Sequence, residues 1–154
     1  MNFFTYLQIQ QQEDHQAFII HYPAGSGKTF FARRACQLNS HIFLLDLLDQ
    51  FQQNPALKVK GFHSDQLANY LLKFPYPAGT QAVLVDHGDF LFNTWKNDEK
   101  ASLIHWLDNS LRSPAVLDKT LVFIIQTDEV LSTAKMLNSH GQPRVLQLNT
   151  FDAL

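Results

Sequence analysis

Short runs of uninterrupted apolar residues punctuate this chain, and the segments between them carry apolar residues at helical spacing. Ala17-Phe18-Ile19-Ile20 leads into the first predicted strand, Ala17–Tyr22, and Ile42-Phe43-Leu44-Leu45 marks a second over His41–Leu48. Ala82–Asp86 and Thr120–Gln126 read as third and fourth strands, and Arg144–Leu148 as a fifth. Runs that are apolar at every position, without polar alternation, belong to strands buried on both faces, which is the signature of a parallel sheet. The intervening segments fit helices: a short one over Asn2 to about Gln12, then Lys28–Leu38 with Phe30, Phe31, Ala35 and Leu38 facing inward. Asp65–Phe74 follows, with Ser64 as its N-cap and Leu67, Tyr70, Leu71 and Phe74 on one face, ended by Pro75, Pro77 and Gly79. Asn97–Leu111 repeats Ile104, Leu107 and Leu111, and Val130–Leu137 is the last predicted helix. Asn54–Gly61 and Ser113–Lys119 are the main loops, and no internal repeat interrupts the alternation. Strands alternating with helices predict an α/β fold of three layers, a five-stranded parallel sheet between two layers of helices.

Composition narrows this to one domain, residues 1–154, with enough apolar content (45%) for a proper core and few charges (17%). Thirteen Phe residues are many, and some are expected at a partner interface. The net charge of −2 provides no positive field for nucleic acid, and Arg33-Arg34 and Lys58-x-Lys60 are too short to form a basic patch. A loop gripping DNA has its one candidate between Phe51 and Ser64, where Lys58, Lys60 and Phe62 lie close in sequence. The single cysteine, Cys36, falls inside a helix, excludes an internal disulfide and reads as a small buried hydrophobe in a reducing compartment. No run approaches the length of a membrane span and the N-terminus has no basic-then-apolar leader, so a cytoplasmic location is expected. The seven histidines form no ligand pair on a helical face.

The chemistry concentrates at the first strand–helix junction, Pro23-Ala24-Gly25-Ser26-Gly27-Lys28-Thr29, with Phe30 following. A buried strand that enters a Gly-rich loop ending in Gly-Lys-Thr and opens a helix is built to cradle the phosphates of a nucleoside triphosphate. Gly25 and Gly27 let the backbone turn and approach, and the loop and helix N–H groups point at the anion. Lys28 is expected to reach the β- and γ-phosphates and the Thr29 hydroxyl to ligate Mg²⁺. The strict pattern asks for a Gly where Tyr22 stands.

Ala82-Val83-Leu84-Val85-Asp86 supplies a second element, an apolar strand whose terminal Asp86 is placed to hold Mg²⁺. His87 follows where many such ATPases carry the Glu that orients the attacking water, and is at best a weaker base. Asp89, three residues past Asp86, is the better candidate base; its structural alternative is a cap on the next turn. At the end of the fourth strand Thr127, with Gln126 as fallback, is the candidate sensor of the γ-phosphate, and a polar strand end meeting solvent is the plain alternative. Arg144, with Arg112 as rival, is a candidate arginine finger reaching a neighbouring subunit's nucleotide, although either alone also fits an ordinary surface arginine.

These residues together resemble the core of AAA+ and related STAND-type P-loop ATPases, and the Asp86-x-x-Asp89 spacing is similar to that of NACHT-type members. The resemblance spans the first to the fifth strand. It implies strand order 5-1-4-3-2, ATP with Mg²⁺, and homo-oligomers with sites at subunit boundaries. Tyr22 departs from it, and the residues after the fifth strand leave no room for a helical lid. In size and motif layout the chain also resembles the BrxF family, small P-loop subunits of type 3 bacteriophage-exclusion (BREX) systems. That implies an ATPase accessory to a multi-protein bacterial phage-defence complex, touching DNA mainly through partners. Two other functions are open at this stage: an assembly switch that binds ATP and barely hydrolyses it, and a small-molecule kinase, disfavoured by arginine-poor loops.

Overall fold

Five strands form where the apolar runs lie: β1 (Phe18–Tyr22), β2 (Ile42–Asp46), β3 (Ala82–Asp86), β4 (Thr120–Gln126) and β5 (Val145–Gln147). In the computed structural model, which describes Met1–Leu154, they make one all-parallel sheet in the order β2-β3-β4-β1-β5. Counted from the other edge the order is β5-β1-β4-β3-β2. Helix α1 (Phe3–Gln10) precedes β1; parallel strands require crossovers, and these run through α2 (Lys28–Leu38), through α3 (Leu47–Gln53) and α4 (Ser64–Lys73), and through α5 (Asp89–Phe92) and α6 (Asn97–His105), while β4 reaches β5 without a helix. A π-helical turn, Trp106–Ser110, extends α6, and a 3₁₀ turn, Leu148–Thr150, follows β5 with no helical layer after it.

Period-two alternation splits the apolar residues of each strand between two cores. Phe18, Ile20, Leu84, Val122 and Ile124 pack with Phe3 and Leu7 of α1 and Phe31 and Ala35 of α2. Ile19, Val83, Val85, Leu121, Phe123 and Ile125 pack on the opposite face with Leu47, Leu67, Leu71, Leu91 and Leu103 from α3 to α6. Each such side chain contributes on the order of 1.5–3 kcal/mol by leaving water.

Several expectations are corrected. Phe30 and Leu38 do not face inward: they are 74% and 50% exposed, because α2 turns Lys28, Phe31, Ala32 and Ala35 to the core. The second strand stops at Asp46, whose Oδ1 accepts from the Asp49 amide at 3.0 Å and starts α3, a helix absent from the sequence reading. Ser64 is the first residue of α4 and not its cap: His63 holds the cap position, and its amide donates to the Gln66 side chain at 2.8 Å. The Val130–Leu137 segment is a series of turns, with Asp128 Oδ1 accepting from the Val130 and Leu131 amides and the Ser132 and Thr133 hydroxyls returning to carbonyls of Asp128 and Glu129. Those side chains compete with the helical ladder. Of the thirteen phenylalanines, six are buried, six are half-buried and Phe30 is exposed. Phe62 is half-buried, its ring against Phe51 and Tyr70. Cys36 is half-buried, and burial pushes its thiol up to about 11. No helix is long and apolar enough to cross a membrane.

Candidate functional site

All the strand ends that sequence reasoning singled out lie along the carboxyl edge of the sheet, the side on which open α/β sheets take their ligands. Tyr22 closes β1 in register with Gln126, so the position that departs from the strict loop pattern is extended strand backbone, where a side chain carries no conformational penalty. The loop then needs left-handed backbone at Gly25 (φ +72°) and at Gly27 (φ +86°), which forms the N-terminal boundary of α2. An added Cβ meets nothing within 4 Å at either, so conformation and not crowding demands glycine there.

Lys28 is buried, and its ammonium donates to the Pro23 carbonyl at 2.7 Å and the Ser26 hydroxyl at 3.3 Å. Burial holds it below the ordinary lysine range, opposed by the charges of Asp89 and Asp86. The Thr29 hydroxyl donates toward Asp86 Oδ2 at 3.1 Å and lies 2.9 Å from His87 Nε2. Two residues 57 positions apart are thus brought into hydrogen-bond contact by neighbouring crossovers.

His87 is the one non-glycine residue with positive φ (+56°), and this bend turns its ring back over the loop. Its Nδ1 lies 2.9 Å from Asp46 Oδ2 and its amide donates to Asp86 Oδ1 at 2.8 Å. A carboxylate only accepts, so the ring presents its Nδ1 hydrogen to Asp46 and turns Nε2 toward Thr29, whose single hydroxyl hydrogen serves either Asp86 or Nε2. Asp46 was missed by sequence reasoning, though Ile42-Phe43-Leu44-Leu45-Asp46 carries the same signal as β3: an apolar run ending in Asp. Gly88 is required for a different reason. A Cβ there comes within 2.7 Å of the Phe92 ring and 3.2 Å of Leu47. Gly88→Ala is therefore expected to cost about 1–3 kcal/mol through overpacking, read as a lowered urea midpoint with an unchanged m-value.

Asp89 opens α5, and its Oδ1 accepts from the Gln126 amide at 3.0 Å. Burial raises its carboxyl above the usual range, with the Gln126 amide and the Lys28 charge opposing. Asp89 thus feels the charges of Lys28 and Asp86, and its second oxygen is not used by the bond to Gln126. Thr127 is exposed, and its hydroxyl lies 3.1 Å from Nδ1 of His21, a buried ring on β1 that burial holds below its ordinary value.

Arg144 is corrected outright as a finger reaching another subunit. It is 1% exposed, and its guanidinium donates to the Ala17 carbonyl at 3.0 Å, Asp108 Oδ1 at 2.7 Å and the Leu107 carbonyl at 3.2 Å. A side chain so engaged clasps β1 to the end of α6. Arg112 is exposed, 3.5 Å from Asp14, and is not part of this site.

Beside the loop, a cavity of about 340 Å³ is lined by Tyr22, Gly27, Phe30, Arg34 and Asn149. The largest cavity, about 650 Å³, lies between Val59–His63 and Thr94–Glu99 and has none of Lys28, Thr29, Asp86, His87 or Asp89 in its lining. No set of three or more His, Cys, Asp or Glu side chains is grouped to hold a metal. The Thr29 hydroxyl and Asp86 carboxylate nevertheless fit a nucleotide-borne Mg²⁺, which keeps several waters and takes only one or two protein oxygens. Compared with protein-family models, curated proteins and solved structures, the chain matches none.

Proposed function

We propose that the chain binds ATP with Mg²⁺ and hydrolyses it. The observation that carries this is the 3.1 Å contact between Thr29 at the start of α2 and Asp86 at the end of β3, below a loop bent by two left-handed glycines. The amides of the loop and the first turn of α2 hold phosphate oxygens, and Lys28 leaves its loop partners to meet the β- and γ-phosphates. Bound Mg²⁺ supplies charge neutralisation on those phosphates. Asp89 orients and deprotonates the attacking water through the oxygen not held by Gln126, and its raised carboxyl makes it a stronger proton acceptor than an exposed aspartate. Thr127 and His21 lie at the adjoining strand ends as a polar contact for the terminal phosphate. The resemblance to small P-loop subunits of bacterial defence systems supports a cytoplasmic accessory role in a larger assembly, with self-association supplied by surfaces other than Arg144.

A second reading is favoured by one observation: Asp89 already spends Oδ1 on the Gln126 amide, and no Glu follows Asp86. The chain then works as an ATP-gated assembly switch with feeble turnover. Asp89→Asn separates the two readings. With Asp89 as base, ATP affinity is expected to stay within about threefold while turnover falls roughly 10²–10⁴-fold. Unchanged turnover removes Asp89 from the chemistry, and negligible turnover in both proteins, with nucleotide-dependent mass by light scattering, establishes the switch.

A further inference from the structure

The geometry points to a divalent cation held through an imidazole, with His87 Nε2, Thr29 Oγ1 and Asp86 Oδ2 forming one face of its coordination shell. This deepens the nucleotide reading and rests on it, because the same Thr29 and Asp86 oxygens serve both. The cation it selects belongs to the Mn²⁺-to-Zn²⁺ series, ahead of Mg²⁺.

The three donors lie at the corners of a triangle with sides of 2.9 Å (Nε2 to Oγ1), 3.1 Å (Oγ1 to Oδ2) and 3.7 Å (Nε2 to Oδ2). Metal–ligand bonds of about 2.0–2.2 Å at right angles separate neighbouring donors by roughly 2.8–3.1 Å. Two sides already match, and a small rotation of the Asp86 carboxylate shortens the third.

The ring is prepared for this in two independent ways. Asp46 Oδ2, 2.9 Å from Nδ1, takes the Nδ1 hydrogen, so a metal bond to this ring is directed to Nε2, the nitrogen that faces Thr29 and Asp86. A carboxylate behind a ligating histidine raises its basicity and holds its orientation. The backbone of His87 also occupies a left-handed conformation that a histidine adopts at a cost, and strain of this kind is retained where a side chain must be aimed. Imidazole suits the later first-row ions, whereas Mg²⁺ takes oxygen ligands almost exclusively.

Mn²⁺ is the probe, titrated into the full chain with a non-hydrolysable ATP analogue and followed by electron paramagnetic resonance with echo-envelope detection of nitrogen coupling. A ¹⁴N coupling to bound Mn²⁺ is expected in the wild-type protein and lost in His87→Asn, chosen because Asn tolerates positive φ. Competition is expected to show Mn²⁺ binding at least tenfold more tightly than Mg²⁺, with the gap closing in that variant. Asp46→Asn is expected to weaken Mn²⁺ by about 10–100-fold while the protein stays folded. Should His87→Asn fail to fold, the wild-type coupling and the Asp46→Asn affinity decide the matter. Mn²⁺ and nucleotide binding without ¹⁴N coupling, or a coupling that persists in folded His87→Asn, overturns the imidazole ligand and leaves the ATP reading standing. Failure of the nucleotide itself to bind overturns both.

Discussion

Lys28→Ala is expected to abolish ATP binding, lowering affinity by at least 100-fold. The arithmetic is direct: each hydrogen bond from a charged donor is worth about 1.5–3 kcal/mol, and a factor of 100 needs only about 2.7 kcal/mol. The ammonium donates to Pro23 and Ser26, neither of them buried, so its removal leaves no deeply buried orphan. Folding stability is therefore expected to change by less than about 1 kcal/mol, and the loss falls on binding alone. Calorimetric titration of ATP in Mg²⁺, beside thermal melts of both proteins, checks it. Affinity within threefold of wild type would sink the nucleotide reading of the loop.

Arg144→Ala is expected to act on the other axis and cost about 3–5 kcal/mol of stability, a large share of the 5–15 kcal/mol a domain of this size possesses. The variant strands the Ala17 and Leu107 carbonyls and the Asp108 carboxylate, which lose their shared donor. Arg144→Lys is expected to recover little, because a single ammonium cannot serve three directions as a guanidinium fork does. Urea denaturation reads the effect. A variant that melts like wild type, yet loses turnover only when assembled, would restore the intersubunit role that its burial contradicts.

The fold was legible in the chain to the extent that burial writes itself as apolar runs. β3 and β4 end where their polar residues begin, and α2 spans the residues between Gly27 and Asn39. Leu47 and Leu48 were read as strand because apolarity continues past Asp46, and only the Asp46–Asp49 cap reveals the turn into α3. The last predicted helix failed because Asp128, Ser132 and Thr133 bond their own backbone. At the site, the loop, Asp86 and Asp89 are local patterns and were readable. The His87–Asp46 pair spans 41 positions and the Arg144 clasp up to 127, and no local periodicity encodes such partnerships. Arg144 in particular has the sequence context of a surface residue and the structural context of a core one.

The uniform apolarity of β3 has a consequence for how accurately the sheet can be assembled. In a strand with one wet face, a slip of one residue is punished at every position, since each apolar side chain trades places with a polar one. β3 is buried on both faces from Ala82 to Val85, so the same slip exchanges one apolar group for another and meets only shape mismatch. Its alignment with β2 and β4 must then be set at its ends. Gln81 is exposed at one end and Asp86 stands at the other, bonded to Thr29. Sliding the strand inward by one rise, about 3.3 Å, would draw a carboxylate into the apolar layer away from its partners, at a cost of several kcal/mol. Asp86 is thus the index mark of β3: the carboxylate that meets the Thr29 hydroxyl also sets the position at which the strand stops sliding.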